Sequence, residues 1–165
     1  NNLALVRRDQ GRLEEARILL TEALSIDQVS PLVRSRLLRN MATVQAAQGE
    51  ATAAEDTIRQ ALVLLNHPKA PPASRADAES VLGDALGAQG RAEEAEPLLA
   101  NSYSMLVGLN GRDDRYTREA LDRLIKFYEI AARPERAALY RSIRDGVAPP
   151  TETLPTATPF EIDLM

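Results

Sequence analysis

A chain of 165 residues with 44% hydrophobic content carries enough apolar side chain for one compact domain or one short stack of repeats. It has no cysteine, so disulfide frameworks, thiolate zinc sites and cysteine nucleophiles are excluded and the redox compartment is unreadable. A net charge of -4 argues against a dedicated nucleic-acid binder, whose phosphate contacts need a basic surplus.

In chain order the sequence predicts a short helix over Leu3 to Arg8 and a second over Leu13 to Ile26, where Leu19, Leu20, Ala23 and Leu24 recur at helical spacing. Ser30 and Pro31 read as N-cap and first-turn proline of a helix reaching Gln48. A helix over Thr52 to Leu65 carries Ile58, Ala61, Leu62 and Leu65 on one stripe. The segments Asn66-His67-Pro68 and Ala70-Pro71-Pro72 then separate it from a helix over Ala73 to Gln89. Three more follow over Ala92 to Leu109, Asp114 to Ala131 and Pro134 to Asp145. Pro97 falls inside the sixth and is expected to delay its start or kink it. Asp113 is expected as the cap of the seventh, with Asp114 in its first turn. No apolar run reaches the ~18 to 20 residues of a membrane-spanning helix, and no signal segment opens the chain. Its first residue is Asn1 rather than Met, which points to a segment of a longer protein.

The stretch "GRLEEARILL" at residues 11 to 20 returns as "GRAEEAEPLL" at residues 90 to 99. Aligning small turn residues gives Gly11, Gly49, Gly90 and Ala132, at intervals of 38, 41 and 42 residues. Five residues after each turn stands an alanine: Ala16, Ala54, Ala95 and Ala137. A small side chain there lets two helices approach closely. Each unit reads as helix, turn, helix, a form that buries its apolar face by stacking on its own copies. The first unit keeps only a stub of its first helix, which leaves the apolar side of the second partly uncovered.

These turns, alanines and intervals resemble the tetratricopeptide repeat (TPR). The long intervals, "GRAEEAEPLL" and the linker "NGRDDRYTREAL" resemble in particular the extended repeats of kinesin light chain and its bacterial relatives. The resemblance covers about Leu3 to Asp145 and is strongest from Gly90 to Arg144. It implies an all-α fold, an α-α superhelix or TPR-like solenoid of about 3.5 to 4 helix-turn-helix repeats over residues 1–146. Gln45 and Arg7 depart from it by standing where the family places a large apolar residue, and Ile125 by replacing a small one.

In the resembled family the first helices line a concave groove for peptides or helices, and the side chains reaching it stand thirteen, ten and six residues before each turn. Here these are Arg36, Arg39 and Thr43, then Asp77, Ser80 and Asp84, then Glu119, Asp122 and Lys126. Such a groove is basic early and acidic late and suits a peptide of mixed charge, opposed charges fixing its direction. Ordinary solvated helix faces account for the same residues. The family's chaperone-binding carboxylate clamp is matched only at Asn40, with Asp77 and Val81 where a lysine and an arginine belong.

From Val147 the composition changes to "VAPPTETLPTATPFEIDLM", a Pro/Thr-rich tail over 147–165 expected to be extended or disordered. Its end alternates acidic residues with Phe160, Ile162 and Leu164, the pattern of a short linear motif or an edge strand. Docking of this tail into its own groove or a neighbour's, near Arg36 and Arg39, is one expectation. An unattached tail is the other.

No other residue pattern in the sequence points to catalysis or metal binding. The single histidine, His67, sits in a proline-rich loop. Glu93, Glu94 and Glu96 open a helix, where acidic side chains favour the dipole. "GDALGAQG" at 83 to 90 lacks the Lys-Ser/Thr pair of a phosphate loop, and close helix packing explains its Gly83 better. Tyr103, Tyr116, Phe127, Tyr128 and Tyr140 fall at packing positions. The expectation is a cytoplasmic, non-enzymatic scaffold with no cofactor or metal, recruiting a protein or peptide and touching neither nucleic acid nor membrane. The alternatives are self-association through the first repeat or the tail, and, by resemblance alone, a regulatory segment of a signalling protein such as a bacterial serine/threonine kinase.

Overall fold

The computed structural model describes residues 2–147. The tail beyond them, with Phe160, Ile162 and Leu164, lies outside the described residues. The described chain forms eight helices and no strand: α1 (Asn2–Asp9), α2 (Leu13–Leu24), α3 (Pro31–Ala47), α4 (Ala51–Leu65), α5 (Pro72–Ala88), α6 (Ala92–Asn110), α7 (Arg115–Ile130) and α8 (Pro134–Asp145). Each packs on its neighbours in sequence, while α3, α5 and α7 also touch one another, which makes them the inner layer of a superhelical stack.

The turns inside the four repeats share one geometry. Gly11, Gly49 and Gly90 have φ of 73°, 82° and 78°, and Ala132 takes the same left-handed conformation at 53°. In the second repeat Gly49 N–H donates to the Ala46 carbonyl at 3.1 Å and Glu50 N–H to the Gln45 carbonyl at 2.9 Å, the paired bonds of a Schellman cap. The other three turns repeat both bonds. Each turn aims the following helix so that its fourth residue, five after the turn residue, meets the helix before it. Ala16, Ala54 and Ala95 are fully buried there and Ala137 nearly so.

Close approach is sharpest between α5 and α6. A Cβ added to Gly83 would lie 2.7 Å from Leu99 Cγ, so any larger residue there forces Leu99 to shift. Around this contact the core gathers Ile58, Leu86, Leu99, Leu124 and Tyr128. Each of these side chains contributes about 1.5–3 kcal/mol through burial. Tyr128 and Tyr140 stack at 5.5 Å and Tyr103 meets Tyr140 edge-on, so the aromatics of the last two repeats join them as packing residues.

A ladder of ion pairs registers one repeat on the next. The residue six after each turn pairs with the residue one after the following turn: Arg17 with Glu50 at 2.9 Å, Glu55 with Arg91 at 2.8 Å, Glu96 with Arg133 at 2.6 Å. The first rung carries reversed polarity.

Two local expectations require correction. α6 starts at Ala92 without delay despite Pro97. That proline lies on the exposed side, where water can replace the one backbone bond its missing N–H removes. Asp114, not Asp113, caps α7, its Oδ1 accepting from Tyr116 N–H at 2.9 Å and Thr117 N–H at 3.2 Å. Ser30 caps α3 as expected, accepting from Val33 N–H at 3.4 Å. His67 Nδ1 accepts from Lys69 N–H at 3.1 Å, which gives it a role in the turn.

Candidate binding pocket on the concave side

The charges expected to face a ligand along the inner helices pair largely with one another. Arg39 is 4% exposed and its Nε donates to Asp77 Oδ2 at 2.9 Å; Asp77 is equally buried. Arg123 of α7 lies 3.7 Å from Asp77 Oδ1 on its far side and donates to the buried Ser80 hydroxyl at 3.3 Å. Glu119 accepts from Arg8 at 2.8 Å, Arg115 at 3.0 Å and Arg123 at 3.3 Å. Lys126 meets Asp84 at 2.8 Å. The basic and acidic stretches of the inner face therefore neutralise each other across successive helices instead of remaining available as separate halves.

Three further inner positions do other things. Thr43 Oγ1 donates to the Arg39 carbonyl at 3.0 Å, Asn40 is buried, and Asp122 is exposed at 3.8 Å from Arg144. Arg36 alone among the ten expected groove residues is an exposed charge with no ion pair among the described residues.

Two pairs cross the stack from its first repeat to its last. Arg8 reaches Glu119, and Arg115 reaches Asp9 at 3.0 Å, so the end of α1 is tied to the start of α7. Burial opposes ionisation of Glu119, but the guanidinium hydrogen bond from Arg8 and the charges of Arg123 and Arg8 outweigh it and hold the carboxyl at about 2. Burial pushes the Asp77 carboxyl up from its ordinary value, against the pull of Arg39 and Arg123. The inner cluster holds Arg8, Arg39, Arg115 and Arg123 against Asp9, Asp77 and Glu119, and Nη1 of both Arg8 and Arg39 as well as Oδ1 of Asp77 are buried without a hydrogen-bond partner.

Beside this cluster, where α3, α5 and α7 begin, opens a cavity of about 500 Å³. Leu32, Leu65 and Pro71 give it an apolar wall, Arg36 and Arg39 a basic one. The Tyr116 ring faces the Arg39 guanidinium at 4.8 Å. Ser74, Asp77 and Asp114 complete the polar lining. Arg36, Arg39 and Asp77 are thus gathered at one site, while Asp84, Asp122 and Lys126 lie away from it. Sequence reasoning missed Tyr116, Ser74, Arg123 and Arg8. Arg123 stands nine residues before its turn, the offset of Asn40, and was findable on that ground; Arg8 carries no such signal. Among the described residues no group of three His, Asp or Glu side chains could hold a metal ion, and no helix is long and apolar enough to cross a membrane.

Repeated helix-turn-helix units with Schellman turns, a buried alanine at a fixed place and an inner layer of first helices define an α-helical repeat protein. Residues 1–66 match a family model for the tetratricopeptide repeat, and residues 76–101 match a second model of the same description. The chain belongs to the tetratricopeptide-repeat family. Among solved structures it is similar to nearly identical TPR-like repeats of Podosopora anserina, named for a kinesin light chain. A variant form is 21% identical over 87% of this chain and 70% of that one, with a TM-score of 0.55. Another form is 19% identical over 86% and 73%, with a TM-score of 0.49. The first of these likenesses shows a shared fold. No curated protein matches the chain.

Proposed function

We propose that the chain is a non-catalytic recognition scaffold that binds a peptide or extended segment of a protein partner at the cavity where α3, α5 and α7 begin. Tetratricopeptide repeats are in general protein-interaction scaffolds. The observation that carries the more specific reading is the cavity itself: about 500 Å³, set on the inner layer, with apolar and basic walls side by side. The titratable groups beside it are locked in mutual ion pairs, an arrangement that suits a fixed surface more than proton transfer. Peptides selected from a random display library against the 165-residue chain test this. Binding of the selected peptides should be lost in Ser74→Trp, which fills the cavity, and kept in Gln60→Trp on the exposed side of α4. Equal binding to both variants contradicts the reading.

A second reading rests on Leu3, Val6 and Ile18, which are about half exposed on the first repeat. That face suits self-association, or cover by a further helix. Sedimentation equilibrium decides whether it does so: a dimer that Ile18→Glu dissociates supports assembly, and a monomer at all concentrations opposes it.

A further inference from the structure

The ion pairs that join α1 to α7 differ in kind from the buried pair beside them. Arg39 and Asp77 are both enclosed, and parting them would leave two buried charges unmatched. The groups at the junction of α1 and α7 each hold a second partner on their own side. Arg8 donates to Asp9 of its own helix at 2.8 Å as well as to Glu119. Glu119 also accepts from Arg115 and Arg123, both on α7, at 3.0 and 3.3 Å. When α1 moves away, Arg8 keeps Asp9 and Glu119 keeps Arg115 and Arg123, so no buried charge is stranded.

We propose that α1 is a strap: its ion pairs to α7 latch the concave trough shut beside the cavity, and their parting opens the trough to the bound segment of a partner. This rests on the peptide-binding reading above and adds a control to it.

The packing of α1 suits that role. It is eight residues long, and Ala4 is its one fully buried side chain. Leu3 and Val6 are about half exposed. The helix packs on α2, and among the described residues no apolar cluster holds residues of both α1 and α7. The latch is therefore electrostatic. Arg8 and Glu119 are 12% and 20% exposed, Asp9 and Arg115 50% and 41%, so dissolved salt reaches the latch and screens it. In the closed form Nη1 of Arg8 is buried without a hydrogen-bond partner, and hydration on opening removes that cost. Arg115 flanks Asp114 and Tyr116, which line the cavity, so the latch stands at the edge of the proposed peptide site.

The chain has no cysteine, so Gln10→Cys at the end of α1 and Arg118→Cys on the exposed side of α7 place two spin labels across the latch. Pulsed electron spin resonance on the 165-residue chain should show two distances. The shorter should dominate at about 0.05 M sodium chloride, and the longer should gain about two- to five-fold at about 1 M. Asp9→Asn, at an exposed position, should raise the longer distance at low salt while leaving the melting temperature unchanged. A peptide selected from a display library should raise it too, and should bind Asp9→Asn about two- to five-fold more tightly than the unaltered chain, in proportion to the open population. A single distance indifferent to salt and to Asp9→Asn overturns the strap and leaves the peptide-binding reading standing. A selected peptide that binds Asp9→Asn no more tightly overturns the strap as well. Equal binding to Ser74→Trp is the separate result that overturns the peptide-binding reading, and the strap's role with it.

Discussion

Arg8 of α1 donates to Glu119 of α7 at 2.8 Å, although the two stand more than a hundred positions apart. With the Arg115 and Asp9 pair this bond clasps the first repeat to the last across the concave side, so the trough is bridged and open space remains at the cavity beside it. Ion pairs of this kind set which conformers of a stack are populated more than how tightly its core packs. Glu119→Gln should lower unfolding free energy by about 1–2 kcal/mol, with solvent screening at this partly exposed site already allowed for. Amide exchange should speed up most in α1, which hydrogen-exchange mass spectrometry reads directly.

Acid should loosen the same clasp. The Glu119 carboxyl sits at about 2 in the folded chain against 4.5 ordinarily, so the stability it contributes is complete above pH 4.5 and is lost as pH falls toward 2. Glu55 follows the same course: burial opposes its ionisation, but hydrogen bonds from Gln89, Arg59 and Arg91 prevail and hold it at about 2. Asp77 runs the other way, its raised value favouring protonation in the fold, and offsets part of the loss. Urea midpoints measured from pH 6 down to pH 2.5 should fall most steeply below 4.5, with a shallower fall in Glu119→Gln.

The ladder between repeats predicts a rescue. Reversing one side of the first rung, Arg17→Glu, sets two carboxylates against each other and should cost about 0.5–1 kcal/mol at this exposed site. The double reversal Arg17→Glu with Glu50→Arg gives the rung the polarity of its two neighbours and should restore most of that loss. A double-mutant cycle by chemical denaturation measures the coupling.

Packing and turn strain give two substitutions of opposite sign. Gly83→Ala drives a methyl to 2.7 Å from Leu99 and should destabilise by about 1–3 kcal/mol. Ala132→Gly frees a left-handed residue from its Cβ and should stabilise by up to about 1 kcal/mol. Thermal melts of the pair check both.

Most of the fold was legible because its grammar is local. A turn at Gly49, a small residue at Ala54 and an apolar stripe through Ile58 and Leu65 specify a helix pair without reference to anything distant, and Ala132 revealed itself as a glycine substitute by position alone. The inner face was legible in part. Offsets from the turns found Arg36, Arg39, Asp77 and Glu119, but periodicity says which side chains share a face and nothing of which will pair. That Arg39 is spent on Asp77, and that Arg8 arrives from the opposite end of the stack, depends on the curvature summed over four repeats. No single repeat encodes that sum. Pro97 and Asp114 were misread for a smaller reason, since one exposed backbone bond and one residue of capping register lie below what spacing can resolve.

Hydrogen-exchange mass spectrometry on the 165-residue chain, with and without a peptide selected from a display library, tests the recognition claim most directly. Binding at the cavity should bring new protection to the first turns of α3, α5 and α7, around Leu32, Ser74 and Tyr116, abolished by Ser74→Trp. Protection confined to the outer helices α4, α6 and α8 contradicts it.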